Sequence, residues 1–350
     1  MTTLPRQHEG FLAVGGSTVV IDVGGLRFVS DPTFDNPTDY GGLRRTRGPA
    51  IAAADVADAD VVLVSHADHI DNLDASGRAF ALRAPRLLTN PGSARLLDHG
   101  AVGLAPWSTI HVAEEVTVTA VPAVHGPVDG EPDERGFVNC EVTGFVIQAP
   151  GSTIYLSGDN TCLAVVARVA KRFGHPDHAV LHAGRATVPG KFDGRPLTLS
   201  AERASAAAGI LGSPHVLVVH QTCWDHFLDG PEETLTAFAD AGLSSCLDMT
   251  PPGEWSMVES WAKDEEDSSS LLSDWSCSAS CRPGRAPPSP PCARRPPSTP
   301  WAAASSRSSP APSSSTCPPN PGARRNRAWR CSTPSTAGAS SPWCSARRRC

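Results

Sequence analysis

The stretch Ser65-His66-Ala67-Asp68-His69-Ile70-Asp71-Asn72-Leu73-Asp74 directly follows the apolar run Val61-Val62-Leu63-Val64. Four aliphatic residues in a row, bounded by polar ones, predict a buried strand. The next ten residues place two imidazoles and three carboxylates at the end of that strand, where a rigid element can aim them into one site. Neutral imidazole and carboxylate are the donors that zinc, iron and manganese use. Taken alone, the stretch reads equally well as a polar surface loop, because Asp and Asn are common turn residues.

The other histidines argue against that plain reading. All 12 lie within the first 226 residues, and several stand directly after β-rich runs: His125 after 116–124, His182 after 179–181 and His220 after 216–219. Asp159 follows 153–158 in the same way. Delivery of polar side chains from successive strand ends is how α/β enzymes build a site at one sheet edge.

This order of motifs resembles the metallo-β-lactamase superfamily, in particular the branch with the L-ascorbate-6-phosphate lactonases and N-acyl-phosphatidylethanolamine phospholipase D. The resemblance covers about residues 11–257 and includes an opening hairpin, 18–32, that ends in Asp31-Pro32. The family signature is His-x-His-x-Asp-His, a lone His, a Gly-Asp bridging ligand and a last His after a strand. Here the corresponding residues are His66 with His69, Asp71 with Asn72, then His125, Gly158-Asp159 and His220. The first motif departs twice from that pattern. One extra residue separates His66 from the His69-x-Asp71 pair, which leaves His66 or Asp68 as the first ligand, and Asn72 stands where a histidine belongs. An amide oxygen is a weaker ligand than imidazole, so the second metal position is expected to bind less tightly.

The resemblance implies an αββα sandwich and one or two zinc ions, with manganese or iron as alternatives. It assigns His66, His69 and His125 to one ion, Asp71, Asn72 and His220 to the other, and Asp159 to both. A metal-bound hydroxide would attack an ester, lactone, amide or phosphodiester, with Asp71 orienting it. His182 and His226 are candidates for contacts with substrate or with the ligands, and His182 is taken as a second catalytic residue. The rival reading is a binding or regulatory protein on a degenerate version of the fold. Retention of His125, Asp159 and His220 argues against decay of the site. A purely structural metal site is disfavoured, because such sites are compact and usually contain Cys.

Composition divides the chain of 350 residues sharply. Residues 1–274 carry 18 basic and 36 acidic side chains, whereas 275–350 contain 12 arginines, no acid and no Val, Ile, Leu, Met, Phe, Tyr or His. Without apolar side chains to bury, such a segment cannot offset the entropy of ordering. The expected organisation is therefore a hydrolase domain over 1–262 and an unfolded tail over 263–350. The tail's alphabet uses almost only codons with G or C in the middle position, as a shifted reading frame in a GC-rich gene would produce. An arginine-rich arm for nucleic acid is the weaker reading of the tail, and the expected partner is a small-molecule substrate.

Four cysteines fall in the folded part (Cys140, Cys162, Cys223 and Cys246), with no C-x-x-C pair. Cys223, near His220, could approach a metal but is read as a small buried hydrophobe. Residues 1–10 lack an apolar signal core and no run reaches membrane-spanning length, so a cytoplasmic protein is expected.

Overall fold

The computed structural model describes residues 3–257. The expected 1–262 domain is therefore described up to residue 257, and the expected tail over 263–350 lies outside the described residues. In chain order the elements are β1 (Gly10–Gly15), β2 (Thr18–Val23), β3 (Leu26–Ser30), β4 (Thr38–Asp39), β5 (Arg44–Arg45), β6 (Val61–Val64), α1 (Ala75–Ala81), β7 (Arg86–Thr89), α2 (Pro91–Leu97) and β8 (Val102–Gly103). They continue with β9 (Thr109–His111), β10 (Thr117–Pro122), β11 (Thr143–Ala149), β12 (Ser152–Leu156), α3 (Leu163–Phe173), β13 (His178–His182), α4 (Ala201–Leu211), β14 (His215–Val219), α5 (Pro231–Asp240), β15 (Leu247–Asp248) and β16 (Trp255–Met257).

Two seven-stranded sheets form, in the orders β16-β1-β2-β3-β6-β7-β8 and β15-β14-β13-β12-β11-β10-β9. Each is antiparallel in one half and parallel in the other, the parallel halves being β3-β6-β7-β8 and β12-β13-β14-β15. Strand periodicity sorts side chains to the two faces. Val61 and Leu63 join Ile21, Phe28, Phe145, Ile147 and Val180 in a core between the sheets. Val62 and Val64 point the other way, toward Phe80, Ala81 and Leu97 of α1 and α2. On the second sheet, Val146, Tyr155, Ala179 and Leu181 pack against Val166, Val169, Ala204, Leu211 and Phe238 of α3, α4 and α5. Both faces of the parallel strands are thus covered, which explains their unbroken apolar runs. This is the expected αββα sandwich.

Several local features follow from their residues. Gly24 and Gly25 take positive φ (58° and 76°) in the two-residue turn between β2 and β3, which needs that geometry at both positions. Ser200 caps α4, accepting a hydrogen bond from the Arg203 amide at 3.3 Å. The Ala-rich stretch 49–57, whose composition suits a helix, forms only a short 3-10 turn, Ala53–Val56. Helix α5 was not anticipated, although Pro231 in its first turn and Glu233, which accepts from the Gly230 amide at 2.8 Å, are start signals.

Asp74, the last acid of the opening motif, is structural. It caps α1 through the Gly77 amide at 2.7 Å, accepts from the Phe34 and Asp35 amides at 3.0 and 2.7 Å, and pairs with Arg45 at 3.1 Å. Both side chains of the pair are fully buried. Removing one partner of a buried pair leaves an uncompensated charge and costs about 3–5 kcal/mol. Asp74→Ala should therefore lower the unfolding free energy by that much, read in urea as a lower midpoint with an unchanged slope, and Asp74→Asn, which still caps the helix, should cost less.

Candidate metal centre

The strand ends that carry the singled-out residues all lie along one edge. His66 follows β6, Asp159 follows β12, His182 ends β13 and His220 follows β14, each at the carboxyl end of a parallel strand. His125 reaches the same edge from β10, which is antiparallel to β11 as β11 is to β12. Open α/β sheets bind their ligands at this edge because only there do loops from neighbouring strands converge.

The side chains form two adjacent clusters. In the first, His69 Nδ1 lies 2.9 Å from His66 Nε2 and 3.0 Å from His125 Nε2. The extra residue between His66 and His69 is absorbed in a turn, with the Ala67 amide donating to Ser93 Oγ at 2.8 Å. His66 is fully buried while Asp68 is exposed, so His66 is the residue brought to the cluster. His125 donates from Nδ1 to the Leu197 carbonyl at 2.8 Å, which fixes the tautomer and leaves a lone pair on Nε2 facing the cluster.

The second cluster holds Asp71, Asp159 and His220, whose ligand atoms lie within 4.8 Å of one another. His220 Nε2 stands 3.3 Å from Asp71 Oδ2 and 3.5 Å from Asp159 Oδ2. His226 Nε2 donates to Asp71 Oδ2 at 3.0 Å. Asn72 donates from Nδ2 to Asp159 Oδ1 at 3.2 Å, so its amide holds the carboxylate and its own Oδ1 is left over. Asn72 Oδ1, Asp159 Oδ2 and His220 Nε2 are all buried without a hydrogen-bond partner. Orphaned buried acceptors are expensive, and their gathering here fits a cation. Asp159 Oδ2 also lies 3.8 Å from His125 Nε2, within reach of both clusters.

His182, expected among the catalytic residues, is almost completely buried and stacked on the His220 ring, with centroids 5.5 Å apart. Its Nδ1 meets Asp159 Oδ1 at 2.9 Å and its Nε2 stands 3.8 Å from Asp31 Oδ2. It therefore contacts Asp159 and is not among the residues that line the cleft, which is one of the two placements expected for it, a contact with a candidate ligand. Asp31, quoted in the hairpin but not singled out as functional, anchors the loop that carries His66 by accepting from the Ser65 amide at 2.6 Å. Cys223 packs against Gly15, as read. Cys140 was missed: its sulfur lies with His66, His69 and His125, all four ligand atoms within 4.8 Å of one another.

Burial sets the protonation. It pushes all three imidazoles of the first cluster below their ordinary value, His69 to about 4, with the neighbouring rings adding to the effect. Burial opposes charge on Asp71, yet the His220 and His226 rings hold its carboxyl well below the usual carboxylate range. Asp159 is held down likewise by His220 and His182. Burial raises Asp31 to about 6 in spite of His182, and the bond to Asp159 raises His182 against its own burial. Three neutral imidazoles and two carboxylates are the protonation state that metal binding requires.

A cleft of about 370 Å³ opens over the clusters, with His69, Asp71 and His125 in its lining. Leu43, Ile70, Val188 and Leu197 supply apolar walls, and Lys191 is the one cation among the described lining residues. Tyr40 lines the rim and stacks on Trp224 at 5.7 Å, while Phe227 packs 4.1 Å from the His220 ring.

A two-sheet sandwich with paired donor clusters at its carboxyl edge defines a family, and comparison with known proteins agrees. The chain belongs to the beta-lactamase superfamily, whose domain matches residues 27–221. A metal-dependent hydrolase of Methanosphaerula palustris is 32% identical over 186 residues, 53% of this chain and 76% of that protein. An N-acyl-phosphatidylethanolamine-hydrolyzing phospholipase D of Caenorhabditis elegans is 40% identical over 65 residues, 18% of each chain. Among solved structures, an isothiocyanate hydrolase from Delia radicum gut bacteria superposes with a TM-score of 0.61 at 19% identity, covering 72% of this chain and all of that one. Among the described residues, no helix is long and apolar enough to cross a membrane.

The depressed His69 value has a defined pH consequence. A histidine whose folded pKa lies below its unfolded value contributes stability that is complete above about pH 6.5 and lost as pH falls through its folded pKa. In metal-free protein, the unfolding free energy of wild type minus that of His69→Gln should be constant above about pH 6.5 and decline toward pH 4. Asp31 and His182 shift the other way, but they are present in both proteins and cancel in the difference. Urea unfolding of the pair across this range checks it.

Proposed function

We propose that this chain, a metal-dependent hydrolase of the metallo-β-lactamase fold, cleaves a small-molecule ester, lactone, amide or phosphodiester with hydroxide as the nucleophile. The observation that carries the reading is the pair of donor clusters joined by Asp159 at the floor of an open cleft. His66, His69 and His125 would hold one ion, and Asp71, Asp159 and His220 the second, with Asp159 shared. The chemistry supplied on binding is the acidification of water to hydroxide near neutral pH and polarisation of the scissile bond. Zinc fits the imidazole-rich cluster, and iron or manganese fits the cluster with more oxygen donors.

The protein's own residues do the rest. Asp71, ionised and gripped by His226 at 3.0 Å, is placed to orient the nucleophile. His182 and Asn72 grip Asp159 Oδ1 at 2.9 and 3.2 Å and fix the shared carboxylate. The apolar walls offer a surface to the non-polar part of a substrate, and Lys191 offers a charge to an anionic group.

Unequal donor sets imply unequal filling. Elemental analysis during a zinc titration should show two steps, with the three-imidazole cluster filled first. Asp159→Ala should lower activity at least about a hundredfold on a panel of esters, lactones and phosphodiesters and reduce metal content, while circular dichroism stays native. Full activity and full metal content in that variant would contradict the proposal.

A further inference from the structure

We propose that Cys140 is a further protein ligand of the three-imidazole cluster, so that this position carries three imidazoles and a thiolate beside the shared Asp159 carboxylate. The inference rests on the metal reading above and adds a residue to it. Cys140 is 6% exposed, forms no disulfide, and makes no hydrogen bond among the described residues. A buried thiol with no partner is usually a small hydrophobe among apolar neighbours. This one instead shares its surroundings with the ring nitrogens of His66, His69 and His125, every ligand atom within 4.8 Å of the other three.

A second observation shows that the placement is built. Asn90, at the end of β7, donates from its one amide nitrogen to the Ser65 carbonyl at 2.9 Å and the Glu141 carbonyl at 3.0 Å. Ser65 precedes His66 and Glu141 follows Cys140, so a single buried side chain locks the two ligand loops together. The Thr143 amide adds a backbone bond to Ser65 O at 3.1 Å. Cys140 is therefore held beside His66 by its neighbours on the chain.

Binding would exchange the thiol proton for a metal–sulfur bond, with the proton released to solvent. A thiolate beside three imidazoles is a soft donor set that favours zinc or cobalt over manganese. Three imidazoles, a thiolate and the shared carboxylate also leave little room for an exchangeable position at this cluster. The more accessible coordination positions would then belong to the Asp71/Asp159/His220 cluster, where His226 stands.

Cobalt(II) is the probe, added to chelator-treated full-length protein and read by absorption. Visible d–d bands report bound cobalt, and a near-ultraviolet charge-transfer band reports a thiolate ligand. The wild type should show both as the first equivalent binds. Cys140→Ser and Cys140→Ala should keep the visible bands, lose the near-ultraviolet band and bind the first equivalent roughly tenfold or more weakly. Cys223→Ser should keep everything. Visible bands without the thiolate band in wild type, or a thiolate band that survives in Cys140→Ser, overturns the assignment of Cys140 and leaves the metal centre standing. No cobalt spectrum at all overturns both.

Discussion

The constraint on which this architecture depends is the burial of the Asp159 carboxylate. It is 0% exposed, ionised, and left with one oxygen that no hydrogen bond satisfies. A charge removed from water at such depth is tolerated only when opposite charge and donors surround it. His182 and Asn72 satisfy the first oxygen. The second lies between His125 and His220, at 3.8 and 3.5 Å, one from each cluster. The carboxylate is therefore the hinge of the site, and a cation on either side of it would offset the cost of burying it.

Around that centre the backbone adopts conformations that carry strain. His220 has φ 61° and Asp31 has φ 40°, both in the left-handed region that a residue with a side chain seldom occupies. The His220 amide donates to the Gly16 carbonyl at 2.7 Å, and its own carbonyl crowds the α-carbon of Gly184 so closely that no side chain would fit there. Gly158, at φ 55° before Asp159, is packed similarly against the Thr143 carbonyl. Strain of this kind persists where surrounding packing holds it, and here two apolar layers and the inter-sheet core grip the strands on either side.

Much of the site was legible because the fold writes it in a regular place. His66, His125, Asp159 and His220 each follow an apolar strand, and the strands are apolar on both faces because helices cover them. The sandwich could be read for the same reason. What could not be read lies where no period marks it. Cys140 sits in the long connection between β10 and β11 with no neighbouring candidate ligand in sequence, and the Asn90 bridge and the Thr143 amide bring it to His66. Depth was equally invisible: nothing in the order of residues distinguishes His182, sealed under His220, from a histidine that faces the cleft. Asp74 looks like another donor in the motif but serves Arg45 and a helix cap. Strand β1 begins and ends with glycine, and a run that short and bounded so carries little strand signal in sequence.

The central claim is that two metal positions share Asp159. Diffraction from crystals grown with zinc, recorded on both sides of the zinc absorption edge, tests it most directly. The account predicts two anomalous peaks flanking the Asp159 carboxylate, the stronger among His66, His69 and His125 and the weaker among Asp71, Asp159 and His220. Zinc-loaded crystals with no peak at either cluster, or with peaks only elsewhere on the surface, would contradict it.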